Sequence, residues 1–181
     1  MPLLAPVLAA VLASGVTTVE RPEASAAVPT SDAPTFEGKF HFSGGQKERD
    51  RVAEAVEEAV QALLPFLHDL ARKRLSAANT IPETVTMTMK GDELELRYGN
   101  LEPMRAPLDG SVRYWHNHEG ARVKIKLEQR GNTLVQTTWN SGGRRIMRWT
   151  LGEDGKHLRL HSTMSSPQLP VSIDYRLSFR Q

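Results

Sequence analysis

Cysteine is absent from the 181 residues. That excludes disulfides, thiolate metal sites and thiol nucleophiles, and it makes folding indifferent to the redox state of the compartment. Long hydrophobic runs are missing as well. No apolar stretch reaches the roughly eighteen residues that a membrane-crossing helix needs, so the chain is not read as membrane-spanning. A strong charge of one sign is also lacking. The formal net charge of +2 is too small to point to a nucleic-acid partner. There is no G-x-S-x-G elbow, and Ser43, Ser141 and Ser162 have no base near them in sequence, so nucleophilic catalysis has no support and no catalytic residue or cofactor is expected.

What is present suits an ordinary globular protein: 39% hydrophobic and 24% charged residues, enough to bury a core in one domain without staples. Residues 3–16, LLAPVLAAVLASGV, form a short apolar run. Ala24-Ser25-Ala26 then offers a small-x-small cleavage pattern. Residues 1–26 are therefore expected to be a signal peptide and the protein to be exported, periplasmic or secreted. The alternative is an Ala/Pro-rich leader on a cytoplasmic protein. Residues 27–35, AVPTSDAPT, read as a linker, and 36–181 as the folded domain. Charge is uneven along the chain. Residues 27–104 carry 9 basic and 13 acidic side chains, and residues 105–181 carry 13 basic and 6 acidic. Such asymmetry suits either complementary halves of one fold or an acidic partner.

Hydrophobic periodicity divides the domain into a helical part and a sheet. Phe36, Gly38, Phe40 and Phe42 alternate with polar neighbours, as in a half-buried strand. Ser43 to Gln46 offers a turn and an S-x-x-Q capping box. Val52, Val56, Val60, Leu63, Leu67, Leu70 and Leu75 then recur at spacings of three to five, forming one apolar stripe over a helical segment from Gln46 to Ala77. Pro65 must kink that segment or divide it near Leu64. From Pro82 onward the period is two almost to the last residue. Short turns such as Gly91-Asp92 and Arg130-Gly131-Asn132 link the strands, and residues 99–111 read as a loop that could hold a short strand. The expected fold is mainly β with an N-terminal helical segment (α+β). It is an antiparallel up-and-down meander of about nine strands, curled into a closed or half-open barrel that the helix covers or fills, because twist accumulates and open edges invite pairing.

The F-x-G-x-F at Phe36 to Phe40 followed by a helical pair, Leu134-Val135-Gln136 with Trp139, and the later Asp154-Gly155-Lys156 together resemble the fatty-acid-binding proteins within the wider calycin group that includes lipocalins. The resemblance implies a closed or nearly closed barrel whose interior holds a fatty acid or similar ligand. One departure concerns the site itself. The family's carboxylate clamp is an R-x-Y in the last strand, and the matching region here reads Tyr175-Arg176-Leu177-Ser178-Phe179. Arg176 and Arg180 have the parity of the exposed face.

The candidate ligand contacts are Met87, Tyr98, Trp139, Met147, Trp149 and Tyr175, large and partly amphipathic side chains assigned to the inner face. They could line an adaptable apolar pocket or pack against the helical stripe. His116-Asn117-His118-Glu119 has the i, i+2 spacing of two metal ligands but no identifiable third ligand, and no metal site is expected. Asn140 to Arg145, NSGGRR, could cradle an anion, although a hairpin turn needs the same glycines. Two functions remain in view: a non-enzymatic carrier of an apolar small molecule or lipid, and an interaction or envelope module. In the second, Lys124, Lys126, Arg148, Arg159 and Arg176 would meet an acidic protein.

Overall fold

The computed structural model describes residues 35–116 and 120–181. The expected signal peptide, nearly all of the linker, and Asn117, His118 and Glu119 lie outside that range. Chain order is β1 (Gly38–Phe42), α1 (Gly45–Gln61), a 3₁₀ turn (Pro65–Leu67), α2 (His68–Ala78), β2 (Thr84–Lys90), β3 (Glu93–Tyr98), β4 (Met104–Pro107), β5 (Asp109–His116), β6 (Arg122–Arg130), β7 (Thr133–Asn140), β8 (Gly143–Leu151), β9 (His157–Ser165) and β10 (Ile173–Arg180). All the ladders are antiparallel, in the order β4-β3-β2-β1-β10-β9-β8-β7-β6-β5. Pairing β1 with β10 wraps the meander round, so that β4 and β5 face each other without a continuous ladder and the barrel is nearly closed. The strand beyond the expected nine is β4, from the segment read as loop. Its Pro107 hid it, yet that residue sits at the strand's end, where a missing N–H costs little.

Pro65 divides the helical segment rather than kinking it. The residue before a proline is pushed out of the helical region, and Leu64 accordingly has ψ 138°. The chain then restarts as a 3₁₀ turn with the proline in its first turn, where a lost donor does no harm. The capping box does not form. Gly44 is the N-cap of α1 and no side chain caps it. Glu48 instead reaches across to β10, accepting hydrogen bonds from the Ser178 backbone N–H at 2.7 Å and hydroxyl at 2.8 Å. The β1 ladder ends at Phe42 opposite Phe179, so the Glu48 carboxylate takes over where the strand partner runs out.

The two helices are held unequally. Val52, Val56, Ala59 and Val60 of α1 are buried against the barrel, whereas α2 has no fully buried residue. One charged contact links them. Arg72 donates to both Glu57 oxygens at 2.8 Å, and its guanidinium pulls the Glu57 carboxyl down to about 2. A carboxylate with a depressed pKa keeps its contribution above the ordinary Glu range and loses it as pH falls toward that value, so the link is intact at neutral pH. With so little buried surface, α2 is expected to open locally while α1 stays shut. Amide hydrogen exchange should show α2 exchanging about tenfold or more faster than the Val52 to Val60 stretch.

Candidate functional site

Beneath α2 lies a cavity of about 440 Å³, within the range of roughly 300–1,000 Å³ common for small-molecule sites. One wall is the second half of the apolar stripe: Leu63, Leu67, Leu70, Ala71 and Leu75. The other is the barrel mouth, with Val123, Thr138, Trp139, Met164 and Leu169. Arg74 from α2 and Arg144 and Arg145 from β8 complete the lining. The stripe therefore does two jobs, its first half in α1 sealing the core and its second half roofing open space.

Of the six candidate ligand contacts, the structure brings only Trp139 to this cavity. Its strand parity differs from the expectation. Trp139 pairs with Lys124 and Arg144 on the outer face and reaches the cavity from the rim. The inward positions of β7 go to Leu134 and Gln136, both fully buried. Met87, Met147, Trp149 and Tyr175 are buried in the packed barrel interior, and the Tyr98 ring stacks on Trp149 at 6.1 Å. The buried Gln136 is satisfied on both ends. Its Oε1 accepts from the Tyr98 hydroxyl at 2.5 Å and from the Trp149 Nε1–H at 3.3 Å, and its Nε2 lies 3.0 Å from the Met104 Sδ. Burial pushes the Tyr98 phenol well above the usual tyrosine range, which keeps it a donor.

Ser162 is not satisfied in this way. It is fully buried and its Oγ has no hydrogen-bond partner. A buried hydroxyl without a partner costs about 1–3 kcal/mol. Ser162→Ala is therefore expected to leave stability unchanged or raise it by about 1 kcal/mol, read from the midpoint of urea unfolding.

Alternation along β8 sends Arg144 outward and Arg145 inward. Arg145 pairs with Thr138 and Met164 across the mouth. Its Nη2 donates to the Ala78 carbonyl at 2.8 Å and the Asn79 Oδ1 at 2.9 Å, and lies 3.1 Å from the Met164 Sδ. It thus closes the C-terminal end of α2 onto the barrel through uncharged groups alone. The hairpin before it answers one open question of the sequence. Gly142 donates its N–H to the Asn140 Oδ1 at 2.8 Å, and a Cβ on Gly143 would come within 2.7 Å of the Ser165 carbonyl oxygen. Gly143 is thus explained by the close approach of β9, and the guanidinium groups are what faces the cavity.

No family model matches the chain, and no curated protein matches it. Solved structures do. The fatty-acid-binding protein from brain tissue of Drosophila melanogaster is similar over 81% of this chain and 100% of its own, at 16% identity and a TM-score of 0.52. A Schistosoma mansoni fatty-acid-binding protein, solved in complex with arachidonic acid, is similar over 81% of this chain and 95% of its own, at 17% identity and a TM-score of 0.46. The chain shares the fold of the Drosophila protein, a nearly closed antiparallel β-barrel.

Within that barrel, Phe36 and Phe40 are buried as the opening motif implies, and Arg176 and Arg180 are exposed. The last strand places no arginine on the inner face, so the resemblance-implied clamp is absent from it. An inward cation that lines the cavity belongs to β8 instead: Arg145. Sequence reasoning raised Arg144 and Arg145 only as part of a turn, and missed Arg74, Ala71 and Leu169. The period-two count from Met147 and Trp149, both inward, back to Arg145 was the available signal. His116, the one described residue of its two-histidine cluster, is exposed at the end of β5, while His161 donates a 2.7 Å hydrogen bond from Nε2–H to the Asp174 carboxylate on the outer face.

Proposed function

We propose that this protein is an exported carrier for an apolar or amphipathic small molecule, fatty-acid-like or lipid-like, and that it performs no chemistry on its cargo. The observation that carries the reading is the cavity beneath α2, about 440 Å³ with an apolar roof contributed by a helix that buries no residue completely. A roof so lightly held can lift without disturbing the core, which a carrier needs in order to load and unload. The apolar run at residues 3–16 and the Ala24-Ser25-Ala26 pattern support export. The test is native mass spectrometry of the full chain with an organic extract of the same sample. A stoichiometric lipid-like adduct is expected. A bare mass that stays unchanged after incubation with fatty acids and phospholipids would sink the reading.

One feature favours a second role on the outer surface. Arg148, Arg159 and Arg176 are exposed on β8, β9 and β10, and none forms an ion pair among the described residues. Lys124 is likewise exposed, while Lys126 is taken up by Glu128 at 3.0 Å. An acidic protein partner meeting this face, as in an interaction or envelope module, would bind in a manner that weakens steeply with salt.

A further inference from the structure

We infer that the cavity selects an amphiphile with a multiply charged oxyanion headgroup, of the phosphate monoester kind, which the guanidinium groups of Arg74, Arg144 and Arg145 hold at the mouth. The inference rests on the carrier reading and adds the chemistry of the cargo. All three arginines line the same cavity, and none of them has a carboxylate within ion-pair distance among the described residues. Arg148, Arg159 and Arg176 on the outer face share that lack, so what sets Arg74, Arg144 and Arg145 apart is that they meet at one cavity; other arginines do find acids. Arg49 has Glu83, Arg72 has Glu57 and Arg105 has Glu95.

Arg145 makes the strongest case. It is half-buried on the inner face of the barrel, where an uncompensated charge is costly. Of its donors only Nη2 is engaged, and all three partners of that nitrogen are uncharged. Nε and Nη1 have no protein acceptor among the described residues. The guanidinium is held in place by one corner while the rest of its fork is left for something else. An oxyanion is the group that fits, since Nε–H and Nη1–H lie on different edges of the guanidinium and each is left to give a single charge-assisted hydrogen bond to an oxygen. Arg74 approaches from α2 and Arg144 from the outer side of the rim. Three cations from three directions exceed what one carboxylate charge neutralises, and this argues for phosphate. The acyl chain then runs beneath Leu63, Leu67 and Leu70.

Competition against a bound neutral fluorophore tests this. The full chain is loaded with N-phenyl-1-naphthylamine, which has no charge, and challenged with dodecyl phosphate, dodecanoate, dodecanol or inorganic phosphate. Dodecyl phosphate is expected to displace the probe at a concentration about ten- to hundredfold below dodecanol, with dodecanoate between them, as hydrogen bonds to charged groups allow. Inorganic phosphate should leave the probe in place, because the headgroup seat alone does not fill the cavity. Arg145→Gln should collapse the ranking. Because Arg145 also anchors α2, the double variant Arg74→Gln/Arg144→Gln, which removes no side-chain hydrogen bond among the described residues, should independently shrink it by about tenfold. The three dodecyl compounds competing within twofold of one another would overturn the headgroup assignment and leave the carrier reading standing. So would a ranking that survives in both variants, or displacement by inorganic phosphate alone. A probe that never binds would overturn both.

Discussion

Replacing Trp149 by alanine is expected to destabilise the protein by about 3–5 kcal/mol, a large part of the roughly 5–15 kcal/mol that a domain of this kind possesses. Trp149 is fully buried. Its ring stacks on Tyr98 at 6.1 Å and lies 5.8 Å from Phe179, and its Nε1–H donates to the Gln136 Oε1. Deleting it removes apolar contact, leaves a void bounded by strands that cannot collapse inward, and takes one donor from a buried amide. Urea unfolding of wild type and variant measures the loss. A cost below about 1 kcal/mol would mean that the interior around Trp149 is not close-packed, and would return the deep barrel to the ligand.

The second large effect is expected at Glu48. Its carboxylate accepts two hydrogen bonds from Ser178 and so ties α1 to β10 just beyond the end of the β1 ladder. Glu48→Ala leaves the Ser178 N–H without its partner and removes two charge-assisted bonds. The expected cost is about 1.5–3 kcal/mol. Glu48→Gln keeps one acceptor and should lose less than half as much. Thermal unfolding of both variants checks the ordering, and equal losses for the two would show that packing of the side chain stem, not the carboxylate, makes the link.

Much of this architecture is written in local chemistry. The helical stripe, its division at Pro65 and the hairpin turns each follow from rules that act within a few residues, so they are legible without the fold. The last strand shows the same: Ile173, Tyr175, Leu177 and Phe179 are buried and their alternates are not. Where the reading departed from the structure, the deciding contacts were remote. Gln136 occupies an inward position because Tyr98 and Trp149, both far away in sequence, satisfy it, and the inward place assigned to Trp139 gave way accordingly. Glu48 seemed suited to a helix N-terminus but is used by a strand 130 residues on.

The candidate site was less legible than the fold, for a physical reason. An inward-facing large side chain looks the same in sequence whether its neighbours close over it or leave a gap. Met87, Met147, Trp149 and Tyr175 ended in the packed interior. The open volume arose where α2, cut off by Pro65, spans the mouth without sinking into it. Trp139 and the paired guanidiniums of NSGGRR carried a trace of the site, and the separation of the two arginines to opposite faces of β8 depends on a register that the turn alone does not reveal.

If the space under α2 holds an apolar molecule, a plug placed there should keep that molecule out. Ala71 lines the cavity from α2, and Ala71→Trp would fill much of that space from a surface helix with little effect on the barrel. Fluorescence titration with N-phenyl-1-naphthylamine should show saturable binding to the wild-type chain and at least a tenfold weaker response from the folded variant, a loss of about 1.4 kcal/mol or more in binding free energy. Equal affinity of the two proteins, or no binding to wild type, would mean that the space under α2 is not a binding site.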